Sequence, residues 1–213
     1  MPIEVTWLGR NCFRLKGREG VVITDPCPPE SGYKLGKQQA DVVTISRKDD
    51  PGYSAFDVIE GTKGSPFRLD APGEFEIGGI LVTGIATKRP DGVRNVIFVV
   101  ELDGIRVGHL GLPGAAPTQA ALEELKDIDI LLMPVGGGNA IGATVAADVM
   151  TTIDPKIAIP MNYKTEFETM DLDPLEKFLS ETGAKPEPQV RLSVSRTQLP
   201  QDLTVMVLLP RTA

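Results

Sequence analysis

The sequence predicts an α+β fold in which two β-sheets pack face to face with helices on the outside. Three observations lead there. Short β-rich runs follow one another as far as Gly108, and after residue 117 the apolar pattern changes to amphipathic helices alternating with strands. The chain is 213 residues long, 41% apolar and 24% charged, enough to bury the core such a fold needs. No Ser/Gly-rich linker, charge block, internal repeat or low-complexity stretch divides it, so residues 1–213 are expected to form a single domain.

Glu4–Leu8, Cys12–Leu15 and Val21–Thr24 are short apolar or alternating runs with turns at Gly9 and at Gly17-Arg18-Glu19-Gly20, the pattern of an antiparallel meander. Val42–Ile45 is a continuous apolar run and reads as a buried strand. Phe67–Leu69, Phe75–Ile77, Ile80–Thr83, Asn95–Leu102 and Ile105–Gly108 are further strands, and Asp103-Gly104 marks a tight hairpin between the last two. Thr118 can cap a helix that sets Ala121, Leu122 and Leu125 on one face, and the strand Ile130–Val135 follows. Thr144 is expected to cap a second helix to Thr152, ahead of the strand Lys156–Pro160. A third helix is predicted from Asp173, with Pro174 at the first helical position, Glu176 completing a capping-box-like pattern, Leu175, Phe178 and Leu179 as the buried stripe, and Gly183 as its end. Val190–Val194 and Thr204–Leu209 close the chain as strands.

A net charge of −7 and an isoelectric point near 4.9 argue against nucleic acid or an anionic membrane surface as a general partner. The segment Met1–Trp7 lacks the basic and apolar regions of a signal peptide, and no apolar run is long enough to span a bilayer, so a cytoplasmic protein is expected. Cys12 and Cys27 are too few for a disulfide scaffold or a cysteine-rich zinc site and are expected as reduced thiols.

A set of motifs carries more information: Trp7-Leu8-Gly9, Thr24-Asp25-Pro26, Ala40 to Ser46, Pro72 to Ile77, Asp103 to Gly111, Met133-Pro134-Val135-Gly136-Gly137 and Ile159 to Tyr163. In this order they resemble the metallo-β-lactamase superfamily, in particular its small bacterial, L-ascorbate-6-phosphate lactonase-like branch. The resemblance covers nearly the whole chain. It implies a four-layer αββα sandwich and a metal-dependent hydrolase with a dinuclear site held by histidines and a bridging aspartate.

The ligand positions depart from that pattern. His109 is the only histidine in the chain, and it matches a position before the bridging aspartate that is not itself a usual ligand. Where the family resembles Trp-Leu-Gly-His, this chain has Arg10. Against H-x-H-x-D-H, an ungapped match sets Arg47, Asp49 and Gly52 at the histidines and Pro51 at the aspartate; a one-residue insertion restores no histidine. The next ligand corresponds to Arg89, the bridging aspartate to Leu112, and the last histidine to Asn162.

Zinc pairs need neutral or anionic ligands, whereas arginines repel cations and leucine offers no donor. No cofactor and no dinuclear metal site are therefore expected. If the loops converge as in the family, Arg10, Arg47 and Arg89 set positive charge where the metals would sit, and a small anionic ligand such as a sugar phosphate becomes a candidate partner. The alternative is that Asp49, Asp50 and Glu74 pair with the arginines and fill the cavity, because an unpaired buried charge is costly. The candidate site thus comprises Arg10, Arg47, Asp49, Asp50, Arg89, His109, Leu112 and Asn162.

Other residues have structural readings beside functional ones. Gly136-Gly137-Gly138 could cradle a phosphate or form a tight strand-to-helix connection. Asp25 could line the pocket or cap a turn. His109 is more often a hydrogen-bonded core residue, and Trp7 a core or interface residue. Three functions stay open: a non-hydrolytic relative that binds a small anion, a weak hydrolase using one hard cation on Asp49, Asp50 and His109, and a structural, homo-oligomeric subunit.

Overall fold

The structure is a computed structural model and describes residues 1–211. In chain order its elements are β1 (Ile3–Gly9), β2 (Cys12–Lys16), β3 (Val21–Thr24), β4 (Gln38–Ala40), β5 (Val42–Thr44), β6 (Ile59–Gly61), β7 (Phe67–Leu69), β8 (Gly73–Ile77), β9 (Ile80–Lys88), β10 (Arg94–Leu102), β11 (Ile105–His109), α1 (Gln119–Glu124), β12 (Ile130–Pro134), α2 (Ala143–Ile153), β13 (Ile157–Met161), α3 (Leu175–Thr182), β14 (Leu192–Val194) and β15 (Thr204–Val205). One sheet runs β14-β1-β2-β3-β5-β7, and the other runs β15-β13-β12-β11-β10-β9-β8.

The two sheets face each other across a single apolar layer. Ile3, Val5, Trp7, Phe13, Leu15, Val22 and Val42 from the first sheet pack into one cluster with Val82, Phe98, Val100, Val107 and Leu132 from the second. On the outside of the second sheet, α2 sinks Ala146, Val149 and Met150 into the same cluster, and α3 adds Phe178. The first sheet buries its other face too: Leu8, Cys12, Ile23, Val43 and Ile45 are covered by Tyr33, Leu35, Ile59 and Phe56. That outer layer consists of short turns and the two-stranded β4–β6 sheet.

Chain direction sorts the strands. β1, β2 and β3 pair antiparallel as the meander predicts, whereas β11, β12 and β13 are parallel, and the continuous apolar runs of β12 and β13 are fully buried. The Asp103-Gly104 hairpin pairs Leu102 with Ile105, and its two central residues have φ of 49° and 74°, as a two-residue primed turn requires.

Several boundaries differ from the sequence reading. The third helix starts at Leu175, one residue later than expected: Pro174 is extended, with φ −72° and ψ 156°, and its side chain makes no capping hydrogen bond. Asp173 cannot be helical because its N–H donates to Gly136 O (2.8 Å) and its carbonyl accepts from Lys164 N (2.9 Å). Thr144 lies inside α2, whose N-cap is Gly142, and its hydroxyl donates to Glu181 of α3. The closing strands shorten to Leu192–Val194 and Thr204–Val205. β4 and β6 carry no alternation to find them by, and pair only with each other. No helix among the described residues is long and apolar enough to cross a membrane.

Candidate functional site

The loops after β1, β5, β11, β12 and β13 meet at one end of the sandwich, and Arg10 is their hub. Gly9, at φ +123°, turns the chain out of β1; a Cβ there would lie 2.3 Å from the Tyr33 ring, so glycine is required. Arg10 follows in the left-handed region, φ 47°, and its carbonyl accepts from the Trp7 indole (2.9 Å) and from Asn162 N (3.2 Å). Those two bonds lock the β1 loop to the β13 loop. Asn162 is likewise left-handed, φ 52°, and so is Asp25, φ 36°. Each such non-glycine position costs of order 1–3 kcal/mol, and strained residues of this kind gather at functional ends of folds.

The Arg10 side chain is buried and does not face an open cavity. Its Nε and one terminal nitrogen donate to Glu168 at 3.1 Å and 2.9 Å, a two-pronged pair with both partners almost wholly out of solvent. The other terminal nitrogen reaches Gly52 O (3.3 Å), and the guanidinium carbon lies 5.6 Å from the centre of the Tyr53 ring. Burial works against the Arg10 charge, yet hydrogen bonding and charge pairing with Glu168 outweigh it and raise its pKa. Glu168 arrives on the strap 164–172 between β13 and α3. The strap is tied down by Lys164 Nζ on its own carbonyls, by Thr165 against Tyr33 OH (2.6 Å), and by Met170 N on the Glu168 carboxylate (2.9 Å).

Behind this pair, three side chains satisfy one another. Tyr53 OH donates to Asn162 Oδ1 (2.8 Å), Asn139 Nδ2 donates to Tyr53 OH (2.7 Å), and Asn162 Nδ2 donates to Asn139 Oδ1 (3.1 Å). Arg89 closes the next side: one terminal nitrogen donates to Leu112 O and Asn139 O, both at 2.6 Å, and its Nε donates to Asp91 (3.1 Å). Leu112 is itself buried, its N–H bound to Asn95 Oδ1 (2.7 Å). Arg47 lies beside Asp50, 3.8 Å away.

The structure therefore brings together Arg10, Arg47, Asp50, Arg89, Leu112 and Asn162, and separates Asp49 and His109 from them. Asp49 is exposed. His109 is in the core between the sheets, its Nε2 2.9 Å from Asn11 O and its ring edge-on to Phe13. Because a carbonyl only accepts, Nε2 carries the proton. Burial pushes the His109 pKa down to about 4, so the ring is neutral. Glu74 stays on the edge strand β8, exposed, and the carboxylate that answers Arg10 is Glu168 instead.

Asp25, the triple glycine and the two cysteines also resolve. Asp25 is fully buried; its carboxylate accepts from Ser46 N (2.6 Å) and Asn11 Nδ2 (3.4 Å), which ties the ends of β3 and β5 together. Burial raises its pKa to about 7 in spite of those bonds. Gly136 and Gly137 spend their N–H groups on Asn162 O (3.1 Å) and Ile141 O (3.2 Å), making the triple glycine a tight strand-to-helix connection. Cys12 and Cys27 are free, buried thiols, their pKa values pushed up by burial.

Comparison with known proteins agrees with this architecture. The β-lactamase superfamily domain matches residues 4–162. The chain belongs to that superfamily. The UPF0173 protein of Pyrococcus furiosus is 30% identical over 185 residues, covering 78% of this chain and 86% of that one. A UPF0173 metal-dependent hydrolase of Archaeoglobus fulgidus is 27% identical over 214 residues, covering 86% and 92%. Among solved structures, a candidate zinc-dependent hydrolase of the metallo-β-lactamase superfamily from Thermotoga maritima superimposes with a TM-score of 0.80 at 32% identity, covering 97% of this chain and 100% of that one. The fold is the metallo-β-lactamase sandwich.

The superfamily implies a metal centre at this end of the sandwich, and the residues gathered here do not fit one. Three guanidinium groups and a leucine cannot donate to a cation, and Asn162 spends both its side-chain polar atoms on Tyr53 and Asn139. Among the described residues no group of three or more His, Cys, Asp or Glu side chains could hold a metal ion.

Two expectations follow for purified protein. Glu168→Ala leaves a buried guanidinium unanswered and should cost about 3–5 kcal/mol in urea unfolding, with much of the loss recovered when Arg10→Met is combined with Glu168→Leu; a Glu168→Ala change within about 0.5 kcal/mol would mean the pair is not structural. The second concerns pH. Asp25, raised from 3.8 to about 7, contributes stability present below pH 3.8 and lost as pH rises through 7, whereas His109, lowered from 6.5 to about 4, contributes stability present above pH 6.5 and lost as pH falls through 4. Unfolding measured across that range should therefore show Asp25→Asn gaining on the wild type as pH rises and His109→Gln gaining as it falls. Parallel curves for all three proteins would contradict the assignment.

Proposed function

We propose that this protein is a non-hydrolytic member of the metallo-β-lactamase superfamily, one in which the dinuclear metal site has been replaced by a closed polar cluster. The observation that carries the reading is the Arg10–Glu168 pair. At the position where the resemblance implies the first histidine ligand, a permanently charged guanidinium is buried and held from two sides by a carboxylate of the covering strap. A cation there would face that charge at close range.

The other implied ligand positions support it. Arg89 is fastened to two carbonyls, Leu112 is apolar, and Asn162 sits in a closed ring of hydrogen bonds with Tyr53 and Asn139. Relatives of the chain are named metal-dependent hydrolases, but a zinc-bound water needs ligands that these residues do not supply. The reading in which Asp49, Asp50 and His109 share one hard cation finds no support in the geometry: Asp49 is on the surface and His109 in the core, its ring committed to Asn11.

The test is turnover. Protein incubated in turn with zinc, manganese and magnesium should hydrolyse lactone, phosphodiester and β-lactam substrates no faster than buffer with the same ion, and a chelator should change nothing. Hydrolysis that scales with protein, requires the ion and disappears with chelator would overturn the proposal.

A further inference from the structure

Of the three arginines at the implied ligand positions, Arg47 alone lacks a close partner. Arg10 is clasped by Glu168, and Arg89 by Leu112 O, Asn139 O and Asp91. The Arg47 side chain is only 15% exposed, yet its Nε is fully buried with no hydrogen-bond partner among the described residues. Its companion carboxylate, Asp50, stands 3.8 Å off, beyond hydrogen-bond length. A buried donor left in this state costs about 1–3 kcal/mol and calls for an explanation.

The nearby carboxylates do not supply one, because each is held by its own loop. Asp50 Oδ1 accepts from Gly52 N (3.1 Å), closing the 50–52 turn. Asp91 accepts from Val93 N (3.0 Å) and from Arg89 Nε (3.1 Å). The Val93 amide holds the Asp91 carboxyl below its ordinary pKa, helped by Arg89 and then by Arg47, so the two arginines act on the same small region. Arg89 uses Nε and one terminal nitrogen in its protein bonds.

We propose that Arg47, with Arg89 beside it, binds a small oxyanion of the phosphate class, such as a phosphomonoester, at the edge of the former metal site. The planar fork of a guanidinium matches two oxygens of a phosphate, and a phosphate has a third for a neighbouring donor. This rests on the loss of the metal site, since an anion held by fixed arginine charge takes over the place of metal-bound substrate oxygens. It departs from a three-arginine pocket in one respect: Arg10 takes no part, because Glu168 already occupies its fork.

The experiment is calorimetric titration of the full chain with inorganic phosphate, repeated with Arg47→Met, Arg47→Lys and Lys48→Met. Saturable binding of one phosphate per chain is expected. Arg47→Met should weaken it at least about tenfold, Arg47→Lys should restore it only in part because charge returns without the fork, and Lys48→Met, an exposed neighbour on the same loop, should leave it unchanged. Melting curves without phosphate establish that each variant folds; if Arg47→Met does not, Arg47→Lys carries the comparison. The inference is overturned by an absence of saturable binding, or by binding that is indifferent to both Arg47 variants. Ion-dependent hydrolysis would instead overturn the parent reading, while no hydrolysis and no phosphate binding would overturn this inference alone.

Discussion

A guanidinium taken out of water must be answered by a carboxylate in good geometry, and the buried Arg10–Glu168 pair imposes that condition on one whole end of the sandwich. Glu168 can reach Arg10 only if the strap 164–172 lies across the β1 loop. Lys164 and Thr165 hold the strap there, and Arg10 can present its side chain only because Gly9 leaves room against Tyr33. The Trp7 indole and the Asn162 amide then both donate to the Arg10 carbonyl. Removing the pair would leave the strap and three loops without their common anchor.

The backbone beneath the site is held in strained conformations at several loop ends. Arg10, Asp25 and Asn162 hold left-handed conformations at the ends of β1, β3 and β13, and Gly136 packs so closely on Asn162 that a Cβ would meet its carbonyl at 2.3 Å. These are tight, strained connections of the type that hold catalytic groups on a rigid scaffold. In this chain the same loops hold a ring of amides, a tyrosine and paired charges. The parent fold is thus preserved by its core and its turns, while the chemistry is set by a handful of side chains at the loop tips.

Much of the fold was legible because local rules governed it. The apolar run Ile130–Val135 and the run Lys156–Pro160 read as strands, and Asp103-Gly104 as a hairpin, and all three are found. Failures came where tertiary bonds overrode local preference. Asp173 looks like a helix cap, yet its backbone bridges Gly136 and Lys164; Thr144 looks like a cap, yet the glycine turn before it already begins α2. At the site, the motif order located Arg10, Arg89, Leu112 and Asn162, which do come together. Glu168 was invisible for a physical reason: a buried arginine announces that some carboxylate must answer it, but not which of 29 acidic residues will. Tyr53 and Asn139 belong to no motif, and only folding brings them to Asn162.

The most direct test of the closed site is its metal content. Elemental analysis of protein purified without chelator, and again after exposure to zinc, manganese and magnesium with excess ion removed, should give a metal-to-protein ratio near zero throughout. A stoichiometric metal that a chelator removes would contradict the account, because it would require Arg10 and Glu168 to part and cation ligands to come from residues that now hold one another.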